Sequence, residues 1–322
     1  MYDDFMIEKR LQELDPELHK CFANAALSLQ IMLENYQLTF PEYTDHSGGH
    51  VLTVLEYCNE LIGAEQVKRL NADELFVLIM GCYLHDIGMG ISREDLVRFW
   101  PKLDFGDFFK EHDPTDIMTV VRSFHHELSG LFIDKYAPLF ELPSEEHVFA
   151  IKQVARGHRK TDLFDEKEYP AALQLSNGNT ICLPYLAAIV RLGDEIDIAS
   201  ERNPNLIFDT SKVESAHQQF EFAKHRAVRR VNITPDAFLL DVDSSNEEVF
   251  QAILKLSDKI QNTLDYCAAV THQRTPYRIT QTKVIINKLE NDTKGTVAFV
   301  SFSFVDIANI CSYNEGERRI GV

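Results

Sequence analysis

Residues 71–88 read NADELFVLIMGCYLHDIG. Asn71 or Asp73 can cap a helix start, and the run from Leu75 to Leu84 is apolar almost all round. Such a helix belongs at the centre of a bundle. It ends in His85-Asp86, and a buried imidazole beside a buried carboxylate is costly unless something compensates both. A divalent cation does so, because imidazole nitrogen and carboxylate oxygen suit Mn, Fe, Co, Ni, Zn or Mg in differing degrees. The dipeptide alone fits a polar helix end at least as well, with Asp86 bonded to backbone and His85 simply packed.

The flanking sequence changes that balance. Upstream, Asp45-His46-Ser47-Gly48-Gly49-His50 leads into a helix with Val51, Val54, Leu55, Cys58, Leu61 and Ile62 on one stripe, stopping at Gly63. His50 falls in its first turn. Downstream, Val190-Arg191-Leu192-Gly193-Asp194-Glu195-Ile196-Asp197 places another carboxylate, Asp194, on a mostly apolar helix. His50, His85, Asp86 and Asp194 would supply most of the protein share of an octahedral ion and leave positions for water and substrate.

The remaining pattern predicts helices over 11–36 (with Pro16 near a start), 92–100, 114–136, 144–157 and 184–200, and a loop over 160–182. Beyond about residue 205 the character changes. Strands are expected at 227–233 and 237–242 around Thr234-Pro235-Asp236, then a helix at 246–269, then a β-hairpin of 279–289 with 295–305. The expected class is mainly α: a helical part over 1–205 and a smaller α+β part over 206–322.

The order His, His-Asp, distant Asp resembles the HD superfamily of metal-dependent phosphohydrolases over about residues 40–205. The phrases Leu84-His85-Asp86-Ile87-Gly88-Met89 and Arg191-Leu192-Gly193-Asp194-Glu195-Ile196-Asp197 carry the resemblance further than the bare ligands. The whole chain is also similar, more loosely, to bacterial HD modules beside or fused to ATPase domains of the heat-shock-chaperone type. The resemblance implies an HD-type helical bundle binding one or two divalent ions. In two-metal members a His is often followed four residues later by a small residue. His125 with Ser129 fits, and His126 with Gly130 fits almost as well. Such proteins place a further His at the end of the next helix, where His158 stands. The set would then be His50, His85, Asp86, His125 (or His126), His158 and Asp194, with Asp86 bridging. Otherwise His125 and His126 form an exposed helix face, and His158 is a cation favoured by a helix C-terminus.

A metal-activated water attacking phosphorus is the chemistry implied, with Asp86 at its centre. Arg159 and Lys160 are the candidate cations for phosphoryl charge. Arg202, Lys224, His225 and Arg226 are weaker ones. His46 is a candidate substrate contact, and Asp197 a candidate for orienting a ligand or pairing with Arg191 or Arg202. The subclass marks are missing. No Gly-Tyr-Pro follows His158, no Gly-His segment follows His85-Asp86, and the next acids after that pair are Glu94 and Asp95. What remains is phosphoester hydrolysis on a nucleotide or other small phosphorylated compound. The alternative is a regulatory HD module docking a partner such as an ATPase.

Composition narrows the partners. The chain has 322 residues, 45% of them hydrophobic, and a net charge of −18. That surface repels phosphate backbones and acidic lipid, so neither general nucleic-acid binding nor membrane binding is expected, while a metal can reverse the field locally. A homo-oligomer is compatible with these features. The six cysteines at 21, 58, 82, 182, 267 and 311 form no CxxC pair and read as mostly buried thiols of a reducing compartment. MYDDFMIEKR lacks a signal pattern, so a cytoplasmic protein is expected.

Overall fold

The computed structural model describes residues 5–34, 48–198 and 216–289. The fold is mainly α, with a smaller α+β part towards the C-terminus. Helices α1 (Met6–Leu14) and α2 (Pro16–Glu34) replace the single helix expected over 11–36. The break falls at Asp15, which is extended (φ −149°, ψ 92°), because Pro16 disfavours helical geometry in the residue before it. Helix α3 (Gly48–Val67) is broken at the expected stop: Gly63 is non-helical (φ 66°) and kinks the chain before the last residues of the element.

Helix α4 (Ala72–Leu84) is the central element. Its cap is a reciprocal pair: the Asn71 side chain accepts from Glu74 N, and the Glu74 carboxylate accepts from Asn71 N. Every residue from Asp73 to Leu84 is buried. A 3₁₀ turn at Ile87–Gly90 follows, then α5 (Arg93–Phe99), capped by Ser92. Helix α6 (Ile117–Tyr136) is capped by Asp116 rather than started at Pro114, and α7 (Glu145–Arg156) is capped by Ser144.

The 160–182 connection is irregular apart from a two-residue ladder of β1 (Leu173–Gln174) with β2 (Thr180–Ile181). It is tied to the central helix at Asp73. The Asp73 carboxylate meets His147 Nε2 at 2.8 Å and accepts from the amides of Asn179 (2.7 Å) and Asn177 (3.2 Å). Burial pushes its carboxyl up, yet these donors hold it below the ordinary value of 3.8. A depressed folded value means the contribution is complete above the unfolded value and is lost as pH falls through the folded one. Asp73→Ala leaves three donors without their acceptor, so a loss of about 3 kcal/mol is expected. Urea midpoints should show it at neutral pH and show it shrinking below about pH 4; an unchanged midpoint would remove Asp73 from the support of the fold.

Helix α8 (Leu183–Glu195) stops short of the expected 200. After it come α9 (Ala216–Ala227), β3 (Val228–Ile233), β4 (Ala237–Val242), α10 (Glu247–Arg274) and β5 (Lys283–Lys288). β3 and β4 are antiparallel, as expected. β5 lies parallel to β4, Ala237 opposite Lys283, with α10 as the crossover. The hairpin partner expected at 295–305 lies outside the described residues. One apolar core runs from Ile7 and Leu11 through α4 to Ile260, Leu264 and Val270 of α10. Among the described residues no single helix is long and apolar enough to cross a membrane. The five described cysteines are free, and all but Cys21 are buried.

Candidate metal centre

Three helices and the ends of two more bring the polar residues to one buried place. His50 comes from the first turn of α3, His85 and Asp86 from the end of α4, and His125 from the middle of α6. His158 follows the end of α7, and Asp194 is in the last turn of α8. The ligand atoms of His50, His85, Asp86 and Asp194 all lie within 4.8 Å of one another, as do those of Asp86, His125 and His158. All six side chains expected from the sequence therefore converge. Asp86 stands between two groups: Oδ2 is 3.5 Å from Nε2 of both His50 and His85, while Oδ1 is 3.2 Å from His125 Nε2 and 3.5 Å from His158 Nε2. Asp194 Oδ1 closes the first group at 3.4 Å from His50 Nε2.

The rings are oriented from behind. His85 Nδ1 faces the Cys82 carbonyl at 2.7 Å, His125 Nδ1 that of Arg122 at 2.7 Å, and His158 Nδ1 that of Ala155 at 2.6 Å. His50 Nδ1 faces Asp197 Oδ2 at 2.5 Å. A carbonyl or carboxylate oxygen can only accept, so each Nδ1 carries a proton and each ring, when neutral, turns a lone pair inward at Nε2. Yet Nε2 of His50 and His85 are 3.1 Å apart, and Nε2 of His125 and His158 are 2.9 Å apart. Two lone pairs at that distance need a positive centre between them. Ligands at 90° on bonds of about 2.1 Å lie about 3 Å apart, so the donor set fits a divalent ion in each group.

The electrostatics agree. Burial opposes charge on His85, but Asp86 and Asp194 outweigh it and draw a proton towards that ring. Burial, with His85 and His125 as neighbours, pushes His158 well down. Burial also penalises the Asp194 carboxylate, but its bonds with His50 and His85 hold it well below the usual range. A cation entering here takes the place of a proton.

Glycine and serine make the close approach possible. A Cβ on Gly88 would sit 2.2 Å from the His125 carbonyl oxygen and 2.6 Å from Ser129 N. Ser129 Oγ donates to the His85 carbonyl (2.6 Å) and accepts from Gly88 N (2.9 Å). The small residue four after His125 is thus the seam between the His-Asp turn and α6.

The choice between adjacent histidines is settled by rotation on α6. His126 is in neither group of ligand atoms, and its ring centroid is 6.5 Å from that of His158. Its Nδ1 is buried with no hydrogen-bond partner among the described residues, and Nε2 is 3.8 Å from Glu127. Burial, then His125 and the cations Arg159, Arg156 and Lys160, push it down to about 3. Arg159 is half-exposed and Lys160 exposed, and neither makes an ion pair among the described residues. His46 and Arg202 lie outside the described residues. Lys224, His225 and Arg226 end α9, where His225 Nδ1 donates to the Ile198 carbonyl at 3.1 Å. Asp197 orients His50 and does not pair with Arg191, whose guanidinium grips backbone carbonyls instead. Removing a carboxylate behind a ligand imidazole costs about 10–100-fold in ion affinity. Asp197→Ala should show that drop in a Mn²⁺ titration; wild-type affinity would take Asp197 out of the site.

A sequence model of the HD-CE family matches residues 40–276, the greater part of the chain and all six clustered residues. No curated protein matches the chain.

Proposed function

The chain belongs to the HD-CE family, and from that premise we propose that it is a metal-dependent phosphohydrolase acting on a nucleotide or other small phosphorylated compound. The observation that carries the reading is the pair of Nε2–Nε2 approaches, 3.1 Å and 2.9 Å, on either side of Asp86. His50, His85, Asp86 and Asp194 would hold one ion, and Asp86, His125 and His158 a second. When bound, such ions lower the pKa of water towards about 7 and polarise phosphoryl oxygens.

The chain's own residues supply the rest. The four rings are fixed by their Nδ1 bonds, so the donor atoms need no reorientation before an ion or substrate arrives. Arg159 and Lys160, which follow His158 directly, would hold the oxygens of a phosphoryl group and offset its growing charge. The burial of His50, His85, Asp86, His125 and His158 excludes bulk water from behind the site and strengthens each charge interaction there.

The test is purified protein with Mn²⁺, its ion content measured, assayed on p-nitrophenyl phosphate, bis-(p-nitrophenyl) phosphate and a nucleotide panel. Hydrolysis that tracks ion content is expected. Ion-loaded protein that turns over none of them would overturn the reading and favour a regulatory module, with an ATPase as the partner to test.

A further inference from the structure

His158 lies in the loop that follows α7, two residues beyond the last helical one. Something outside that loop must hold it. Arg191, on α8 one helical turn before Asp194, does so from one side. Its Nε donates to the Gly157 carbonyl at 2.7 Å, and its Nη2 to the carbonyls of Arg159 at 2.5 Å and Thr161 at 2.8 Å. Three alternate carbonyls, bracketing His158, are thus gathered on one buried guanidinium. No described carboxylate neutralises Arg191; the Tyr266 ring of α10 lies under its charge, 5.1 Å from centroid to Cζ. Tyr266 also bonds the same loop directly. Its hydroxyl donates to Asp162 Oδ1 (3.0 Å) and accepts from Leu163 N (2.7 Å). Further along α10, Arg274 donates to the carbonyls of Leu163 and Tyr169.

We infer that Arg191 is a positioning residue for the His158 half of the centre, and that α10 acts on that half through Tyr266. The inference rests on the cluster being an ion site. The same side chain is anchored beside Asp194 in one ion group and grips the backbone around His158 in the other. It therefore sets the spacing between the groups and the direction in which Arg159 and Lys160 leave the loop. A planar five-donor fork can meet three carbonyls at once; a lysine ammonium at that position cannot span them. This also gives α10, which follows the helical part, a task at the site rather than only in packing.

Titration calorimetry of the full chain with Mn²⁺ tests this, with His125→Ala marking which binding phase belongs to the His125–His158 group. Arg191→Lys and Tyr266→Ala are expected to weaken that phase about 10–100-fold, the size of effects from groups behind a ligand. The His50–His85 phase should stay within about threefold of wild type, an allowance on the order of the usual context scatter. Thermal melting is followed alongside. Equal weakening of both phases, loss of the cooperative melt in both variants, or two unchanged phases would each overturn the inference. Wild-type protein that binds two ions, shows the selective loss on substitution, yet hydrolyses nothing would leave Arg191 in its role and remove the phosphohydrolase.

Discussion

Asp86→Asn should empty both ion groups at once. Asp86 Oδ2 faces His50 and His85, and Oδ1 faces His125 and His158, so one carboxylate would provide the anionic ligand of both proposed ions. An amide keeps the size and loses the charge. The four inward lone pairs then face each other with one carboxylate, Asp194, beside a single group. Metal analysis after dialysis should fall to no bound ion, and phosphoester hydrolysis by on the order of 10³-fold or more, since the activated water is lost. Retention of one ion at wild-type affinity would show that Asp86 serves a single group. His125→Ala is the contrasting case: it should remove the ion of the three-donor group and leave the four-donor group loaded.

Gly88→Ala is the second large effect, and it acts through shape. The added methyl would meet the His125 carbonyl oxygen at 2.2 Å and Ser129 N at 2.6 Å, both backbone atoms of α6. Neither can swing aside as a side-chain end would. Either the His-Asp turn or α6 must move, and the Ser129 bridge to the His85 carbonyl must stretch or break. A loss of about 3 kcal/mol is expected from overpacking at this seam. It should appear as a lower denaturation midpoint with weaker binding at the His125–His158 group. A variant with the wild-type midpoint and both ions would mean the helices separate here at no cost.

The clustered residues are legible in the sequence to the extent that burial is. His85-Asp86 and Asp194 stand out because their helices are otherwise apolar, and His50 because it opens a helix with an apolar stripe. His125 and His126 could not be separated that way. Both satisfy the spacing to a small residue, and only the rotation of α6 against α7 and the His-Asp turn decides between them. The Arg191 grip had no sequence signal at all. Its partners are main-chain carbonyls about thirty residues away, and any residue offers a carbonyl. Spacing suggests Arg191 only as a partner for Asp197, because opposite charge is all that spacing can offer.

The fold shows the same division between local and distant information. Caps at Asn71, Ser92 and Ser144 act within three residues and were readable. Pro16 was read as a helix start, but its effect on Asp15 was not, so α1 and α2 were run together. The strand around Val284–Ile286 was recognised by its alternation. Its pairing with β4 was not, because a parallel partner lies across the whole of α10.

In three of the four inward histidines the acceptor behind the ring is the carbonyl three residues earlier: Cys82 for His85, Arg122 for His125, Ala155 for His158. The aim of each ring is therefore written within a single turn of its own chain. A segment of that kind is a portable part. The connection from residue 91 to residue 116 can be lengthened or replaced without re-aiming the donors, provided the helices still pack. The centre is then open to diversification at its periphery while its interior stays fixed, so the choice of substrate can be rewritten in the connections alone.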